Sequence, residues 1–162
     1  MVQGGVGGGA MVVGGRKLLW LGRAGMEPRE SVGPVAGAGV LSGPLEPTDE
    51  AYAVAKIAGI KLCESYRGQY GSDFISAMPT NLYGPHDNFD LLDSHVLPAL
   101  IRKCHEARVE GRGEVSIWGT GAARREFLHV DDLADACVFL MREYSALEHI
   151  TSGPGEDITI RE

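Results

Sequence analysis

The sequence predicts an α/β fold with a parallel sheet. Three observations carry that reading. Beyond Glu46, amphipathic stretches of helical length alternate with apolar runs of strand length, the order that βαβ units produce. Glycine or proline marks the joints, at Gly71, Pro79 and Gly119. With 162 residues, 44% of them hydrophobic, the chain is long and apolar enough to bury one core.

Glu46-Pro-Thr-Asp-Glu50 leads into a helix predicted over 51–69, with Ala51, Val54, Ala55, Ala58 and Leu62 near one face. Gly71 ends it, and Phe74–Met78 reads as a strand running to Pro79. A polar loop follows from Thr80 to Asp93, and Ser94 is placed to cap a helix over 95–107. Val115–Trp118 reads as a short strand before a Gly-Thr-Gly turn. Asp131 or Asp132 opens a helix through Glu143, His149–Thr151 is a last strand, and Ile158 begins a further element. Thr159 and Glu162 have capping-box spacing. The chain therefore reads as stopping in the first turn of a helix, as a truncated domain would.

Residues 1–44 differ in kind. Thirteen of the 23 glycines fall within 1–43, and such a segment loses much backbone entropy on ordering while offering few large side chains in return. Only Lys17–Leu21 reads as a buried strand there; the rest reads as loop or disorder. Gly5-Val-Gly-Gly-Gly-Ala10 matches the spacing G-x-G-x-x-A. A dinucleotide fingerprint also needs a strand before it and a helix after it. Only four residues precede this one, and it reads as a chance match in a glycine-rich tract. The expected organisation is an irregular segment over 1–44 with one strand near 17–21, followed by an α/β unit over 45–162.

The formal charge of −7 argues against nucleic acid or an anionic membrane surface as the main partner. No apolar run approaches the roughly 20 residues of a spanning helix, and the N-terminus lacks the pattern of a signal peptide. Cys63, Cys104 and Cys137 are odd in number, widely spaced and without histidine partners at ligand spacing. They read as buried, reduced thiols of a cytoplasmic protein rather than as a disulfide framework or a zinc site.

Tyr52-Ala-Val-Ala-Lys56 is the main chemical feature. This spacing puts both side chains on one face of a helix. A phenol with a pKa of about 10 is a poor acid–base group at neutral pH, and a neighbouring ammonium favours its ionised form. The same lysine can hydrogen-bond a ribose hydroxyl. The plain alternative is two surface residues of an amphipathic helix. Other candidates also have structural readings. Trp118 in an apolar run reads as core, and Arg102 and Lys103 read as a solvated helix face. Arg124 and Arg125 read as partners for carboxylates such as Glu126. His129 reads as a helix entry, and His86, His105 and His149 as structural or surface residues.

Three blocks in order change that balance: Tyr52-Ala-Val-Ala-Lys-Ile-Ala-Gly-Ile-Lys-Leu-Cys-Glu64, Met78-Pro-Thr-Asn-Leu-Tyr-Gly-Pro-His-Asp-Asn88 and Arg125-Glu-Phe-Leu-His-Val-Asp-Asp132. Together they resemble the extended short-chain dehydrogenase/reductases, and the first two resemble the GDP-L-fucose synthase family within them. The resemblance covers Leu45 to Glu162 and, more weakly, Arg16 to Gly22. It implies the later part of a Rossmann-like sheet with elements of a smaller substrate domain. It also implies an NADP-dependent epimerase-reductase that converts GDP-4-keto-6-deoxy-D-mannose to GDP-L-fucose. Tyr52 would donate the proton for reduction and Lys56 would bind the cofactor. Pro79, Thr80, Asn81 and Leu82 would lie along the nicotinamide half of NADPH. His95 would act as an acid in epimerisation beside the cofactor. Lys103, Trp118 and Arg125 would contact the GDP-sugar. The helix carrying Tyr52 would pair two subunits as a homodimer. The alternatives are another NAD(P)-dependent nucleotide-sugar epimerase or dehydratase, or a non-catalytic fragment that pairs with intact subunits.

The sequence departs from the family's pattern before Leu45. The first Rossmann half is missing, and the positions of the family's serine and cysteine hold Arg23 and Gly25. Spacing is kept between Arg23 and Val40 while the residues are unrecognisable, the pattern of a shifted reading frame. An open sheet edge and a weakly stable N-terminal third are expected in consequence.

Overall fold

The structure, a computed structural model, describes residues 10–14, 17–21 and 50–162. In chain order these form β1 (Ala10–Gly14), β2 (Lys17–Leu21), α1 (Glu50–Tyr70), β3 (Asp73–Pro79), β4 (Asn81–Tyr83), α2 (Val96–Val109), β5 (Arg124–Arg125), β6 (Phe127–His129), α3 (Val130–Glu143), β7 (Ile150–Ser152) and β8 (Ile158–Thr159).

The main sheet has the order β1-β2-β3-β7. Strands β2, β3 and β7 run parallel, with Leu19 opposite Ile75 and Ala77 opposite Ile150. At the edge β1 runs antiparallel to β2, bringing Gly14 opposite Lys17. The expectation of loop before Lys17 is corrected here. Met11-Val-Val13 has the side chains that favour an extended backbone, and its pairing covers the edge of β2 that was expected to lie open. Gly5–Gly9 lie outside the described residues, and Ala10 opens a strand where a dinucleotide fingerprint needs a helix. Arg23, Gly25 and the rest of the segment up to Asp49 also lie outside them.

Side chains alternate across β3, and a helix covers each face. Leu19, Ile75 and Ala77 pack with Leu133, Cys137 and Leu140 of α3. Leu19 and Ile75 are fully buried, a contribution of about 2 kcal/mol each. On the opposite face Tyr66 of α1 stacks on Phe74, ring centroids 5.4 Å apart. The helix α1 buries Ala53, Lys56, Gly59, Ile60 and Cys63. It ends at Gly71, whose φ of 64° suits glycine and whose N–H donates to Arg67 O at 3.0 Å. The face chosen from sequence, Ala51, Val54, Ala55, Ala58 and Leu62, is the exposed one. Both faces of this helix are apolar, so periodicity alone selected the wrong one.

Further corrections follow from local geometry. Within the loop expected over Thr80–Asp93, Asn81–Tyr83 forms β4, paired parallel with β6. His95, not Ser94, is the N-cap of α2, and Ser94 Oγ is buried without a hydrogen-bond partner. The turn before α2 is built instead on Asp90, whose carboxylate accepts the N–H groups of Leu92 and Asp93 at 2.8 and 3.1 Å. Val115–Trp118 is not a strand; no strand among the described residues pairs with it, and Lys103 Nζ donates to Ser116 O at 3.1 Å. The helix α3 starts one residue before Asp131, with His129 as its N-cap accepting the Asp131 N–H at 3.3 Å. Cys63 and Cys137 are buried thiols, but Cys104 is exposed on α2. Ile158–Thr159 forms β8 and not the first turn of a helix as expected; the reciprocal bonds of the predicted capping box, Thr159 N–H to Glu162 Oε2 at 2.8 Å and Glu162 N–H to Thr159 Oγ1 at 3.2 Å, close a turn after that strand.

Candidate functional site

The first turns of α1 place Tyr52 and Lys56 one helical turn apart, with Lys56 Nζ 5.0 Å from the centre of the Tyr52 ring. Lys56 is only 3% exposed. Burial pushes its ammonium below the ordinary value of 10.5. A buried lysine against a phenol differs from the solvated pair that an amphipathic surface helix would carry.

The segment Pro79–Leu82 leaves the end of β3 and enters β4. Its path is set by the Thr80 N–H donating to Ser152 O at 3.0 Å and by two hydrogen bonds from Asn81, through N–H and Nδ2, to Glu126 O at 3.2 and 3.0 Å. Thr80 Oγ1 is buried and has no hydrogen-bond partner among the described residues. His95 stands at the N-terminus of α2, with an extended backbone and no side-chain cap bond.

Lys103 and Trp118 come together. Lys103 Nζ lies 5.2 Å over the indole, which is 74% exposed. The core reading of Trp118 therefore fails, because the stretch 115–118 runs along the surface instead of entering the sheet. Arg125 lies on β5, exposed, its Nη1 donating to Arg124 O at 2.7 Å. Arg124 pairs with Asp157, Nη2 to Oδ1 at 2.8 Å, and not with Glu126 as its position in sequence suggested. Asp157 and the hydrogen bond hold its guanidinium above its usual range.

A small cavity of about 170 Å³ lies between β4, α2 and His129, lined by Tyr83, Phe89, Pro98 and Ile101 among others. None of the candidate residues lines it. A wider groove of about 770 Å³ runs along Arg112–Ser116 beside the carbonyl that holds Lys103. Among the described residues no cluster of His, Cys, Asp or Glu could hold a metal ion, and no helix is long and apolar enough to cross a membrane.

Sequence reasoning gave Gly153 no role and read Glu126 only as a carboxylate for the neighbouring arginines. Glu126 Oε1 accepts the Gly155 N–H at 2.8 Å, and a Cβ added at Gly153 would stand 2.5 Å from Thr80 Cγ2. Gly153 lies outside every quoted block, and the place of Glu126 within one does not show that it reaches Gly155, so only the contacts reveal these roles.

An α/β sheet of Rossmann-like kind, parallel over β2, β3 and β7, with a buried lysine against a tyrosine on its covering helix, defines a class of nucleotide-cofactor protein. The chain matches the NAD dependent epimerase/dehydratase family over residues 15–159 and belongs to it. It is 61% identical over 147 residues to the probable GDP-L-fucose synthase 1 of Oryza sativa subsp. japonica, covering 91% of this chain and 45% of that protein. It is 59% identical over 149 residues to GDP-L-fucose synthase 1 of Arabidopsis thaliana, covering 92% and 46%. Among solved structures it resembles a GDP-L-fucose synthetase from Naegleria fowleri, with a TM-score of 0.77 and 30% identity over 90% of this chain and 46% of that one. It also resembles a GDP-D-glycero-L-gluco-heptose synthase from Campylobacter jejuni, solved in the presence of NADPH, with a TM-score of 0.76 and 34% identity over 91% and 54%. The chain thus spans about half the length of the relatives it matches.

Proposed function

We propose that this chain carries the catalytic Tyr–Lys pair and the GDP-sugar contacts of an NADP-dependent epimerase-reductase that forms GDP-L-fucose from GDP-4-keto-6-deoxy-D-mannose. In this reading it comprises the later part of a Rossmann-like sheet and elements of the smaller substrate domain, and it works in the cytoplasm. The observation that carries the proposal is the buried Lys56 ammonium 5.0 Å from the Tyr52 ring.

The residues fit the nicotinamide half of the cofactor. Thr80 Oγ1 is a buried hydroxyl with no hydrogen-bond partner among the described residues, a group that a bound ligand would satisfy. Pro79, Thr80, Asn81 and Leu82 line the strand end against that half, and His95 stands beside it. Lys56 would hold a ribose hydroxyl and, as a neighbouring ammonium, make the Tyr52 hydroxyl a stronger proton donor. NADPH, when bound, would supply the hydride that reduces carbon 4 of the sugar. Tyr52 donates the proton to the oxygen at carbon 4 as the alcohol forms. Epimerisation would also need a base to remove each proton beside the ketone, and this chain holds Gly25 where the family places its cysteine; His95 would return the protons. Lys103 and Arg125 take the diphosphate, for which a guanidinium fork is well shaped. Trp118 offers its exposed face to the base or sugar.

The exposed apolar face of α1, Val54 and Leu62 with the neighbouring alanines, fits a second subunit in a homodimer. Leu62→Glu should convert dimer to monomer in sedimentation analysis, and a wild-type chain that is monomeric at every concentration would end that part of the proposal.

The site is tested by calorimetric titration of the purified chain with NADPH. Saturable binding that Lys56→Ala weakens, and that Tyr52→Phe leaves intact while removing turnover, is the expected result. No binding by a folded sample would make this a non-catalytic chain.

A further inference from the structure

Glu126 makes contacts on both sides of its own backbone. Its carbonyl oxygen accepts both the N–H and the Nδ2 of Asn81, at 3.2 and 3.0 Å. Its carboxylate Oε1 accepts the Gly155 N–H at 2.8 Å. One residue therefore ties the Thr80–Asn81 segment to the turn that follows β7. Gly155 has a φ of 79°, so that turn depends on a glycine conformation as well as on the carboxylate.

Gly153 completes the junction. A Cβ there would stand 2.5 Å from Thr80 Cγ2, 2.8 Å from Glu126 Oε2 and 3.1 Å from Glu126 Cδ. Two of these separations fall well inside van der Waals contact, and the third is tighter than carbon atoms normally approach. Only a residue without a side chain lets Thr80 and the Glu126 carboxylate meet over the backbone at 153. Thr80 N–H donates to Ser152 O at 3.0 Å, so any shift of the turn is transmitted to Thr80 directly.

We infer that Glu126 and Gly153 are positioning residues that set the Thr80–Asn81 segment for the nicotinamide half of the cofactor. They act through that segment and do not themselves touch the cofactor. The inference rests on the cofactor reading proposed above, and its first readout is independent of it.

The test compares Gly153→Ala, Glu126→Ala, Glu126→Gln and Gly113→Ala in the full chain. Gly113 is a control, since a Cβ there meets nothing within 4 Å. Amide hydrogen exchange over 80–83 is measured without ligand, and NADPH affinity is then measured by calorimetry. Exchange should quicken roughly fivefold to tenfold in Gly153→Ala and Glu126→Ala, as loss of one hydrogen bond implies. It should stay at the wild-type rate in Gly113→Ala and in Glu126→Gln, whose amide oxygen can still accept from Gly155. NADPH affinity should fall roughly tenfold in the same two variants, with the melting temperature of Glu126→Ala close to that of Glu126→Gln. Unchanged exchange in both Gly153→Ala and Glu126→Ala would overturn the inference, as would altered exchange with unaltered NADPH affinity. If exchange responds as expected but the wild-type chain binds no NADPH, the positioning contact stands and the cofactor reading falls.

Discussion

Arg67 Nη1 lies 2.7 Å from Asp73 Oδ1 and joins the last turn of α1 to the first residue of β3. Lys17 Nζ approaches the other carboxylate oxygen at 3.3 Å, and Ser145 Oγ donates to Oδ1 at 2.7 Å. Four chain segments thus meet at one carboxylate, at the end of the sheet opposite Pro79. The register of β2 on β3, which pairs Lys17 with Asp73, is held there by charge as well as by backbone hydrogen bonds.

Partial burial raises the Asp73 carboxyl, but hydrogen bonds from Ser145, Arg67 and Lys17 together outweigh it and hold the group below its ordinary 3.8. A carboxylate with a depressed folded pKa contributes stability that is complete above 3.8 and is lost as pH falls through the lower folded value. Asp73→Asn should therefore cost about 1 kcal/mol at neutral pH, a modest figure because the side chain is partly solvated. Urea unfolding should show the gap between variant and wild type closing in acid.

Gly71 has a φ of 64°, with nothing within 4 Å of a built Cβ. The space is open, so the conformation alone opposes a side chain there. Gly71→Ala should destabilise the chain by about 1 kcal/mol, with Gly71→Asn losing less. Equilibrium denaturation measures both.

Lys56 gives a pH dependence of the opposite sign. Because burial depresses its pKa below 10.5, the unfolded chain binds this proton more tightly than the folded one. The resulting penalty is complete below the folded value and vanishes as pH climbs past 10.5. Wild type should gain stability relative to Lys56→Met as pH rises toward that value, read from denaturant midpoints across the alkaline range.

Trp118 separates core from site. At 74% exposure, Trp118→Ala should change stability by no more than about 0.5 kcal/mol. Affinity for GDP should fall by about 1 kcal/mol as the stacking surface is lost. Thermal melting and calorimetric titration with GDP check the two halves separately.

Much of this architecture was legible from local signals. Lys17–Leu21 is a strand with the bounds its apolar run implied, and the glycine stop at Gly71 holds. His129 enters α3 as its position before two aspartates suggested. These features depend on a few neighbouring residues. The exposed face of α1, the missing strand at Val115–Trp118 and the pairing of Arg124 with Asp157 depend on residues far away in the chain. An apolar pattern states that a surface wants cover without stating which neighbour supplies it.

The sequence by itself determined the alternation of helix and strand, the Tyr52–Lys56 spacing and the order of the blocks that mark the family, because each is written in residue type over a short span. Only the tertiary structure decided that Lys56 is buried while Leu62 is not, that Trp118 lies under a lysine at the surface, and that Glu126 reaches Gly155 instead of its neighbouring arginines. Those outcomes depend on which segments the sheet brings into contact. A strand register or a helix orientation is settled by burying area and pairing polar groups across the whole chain at once, and no local window contains that information.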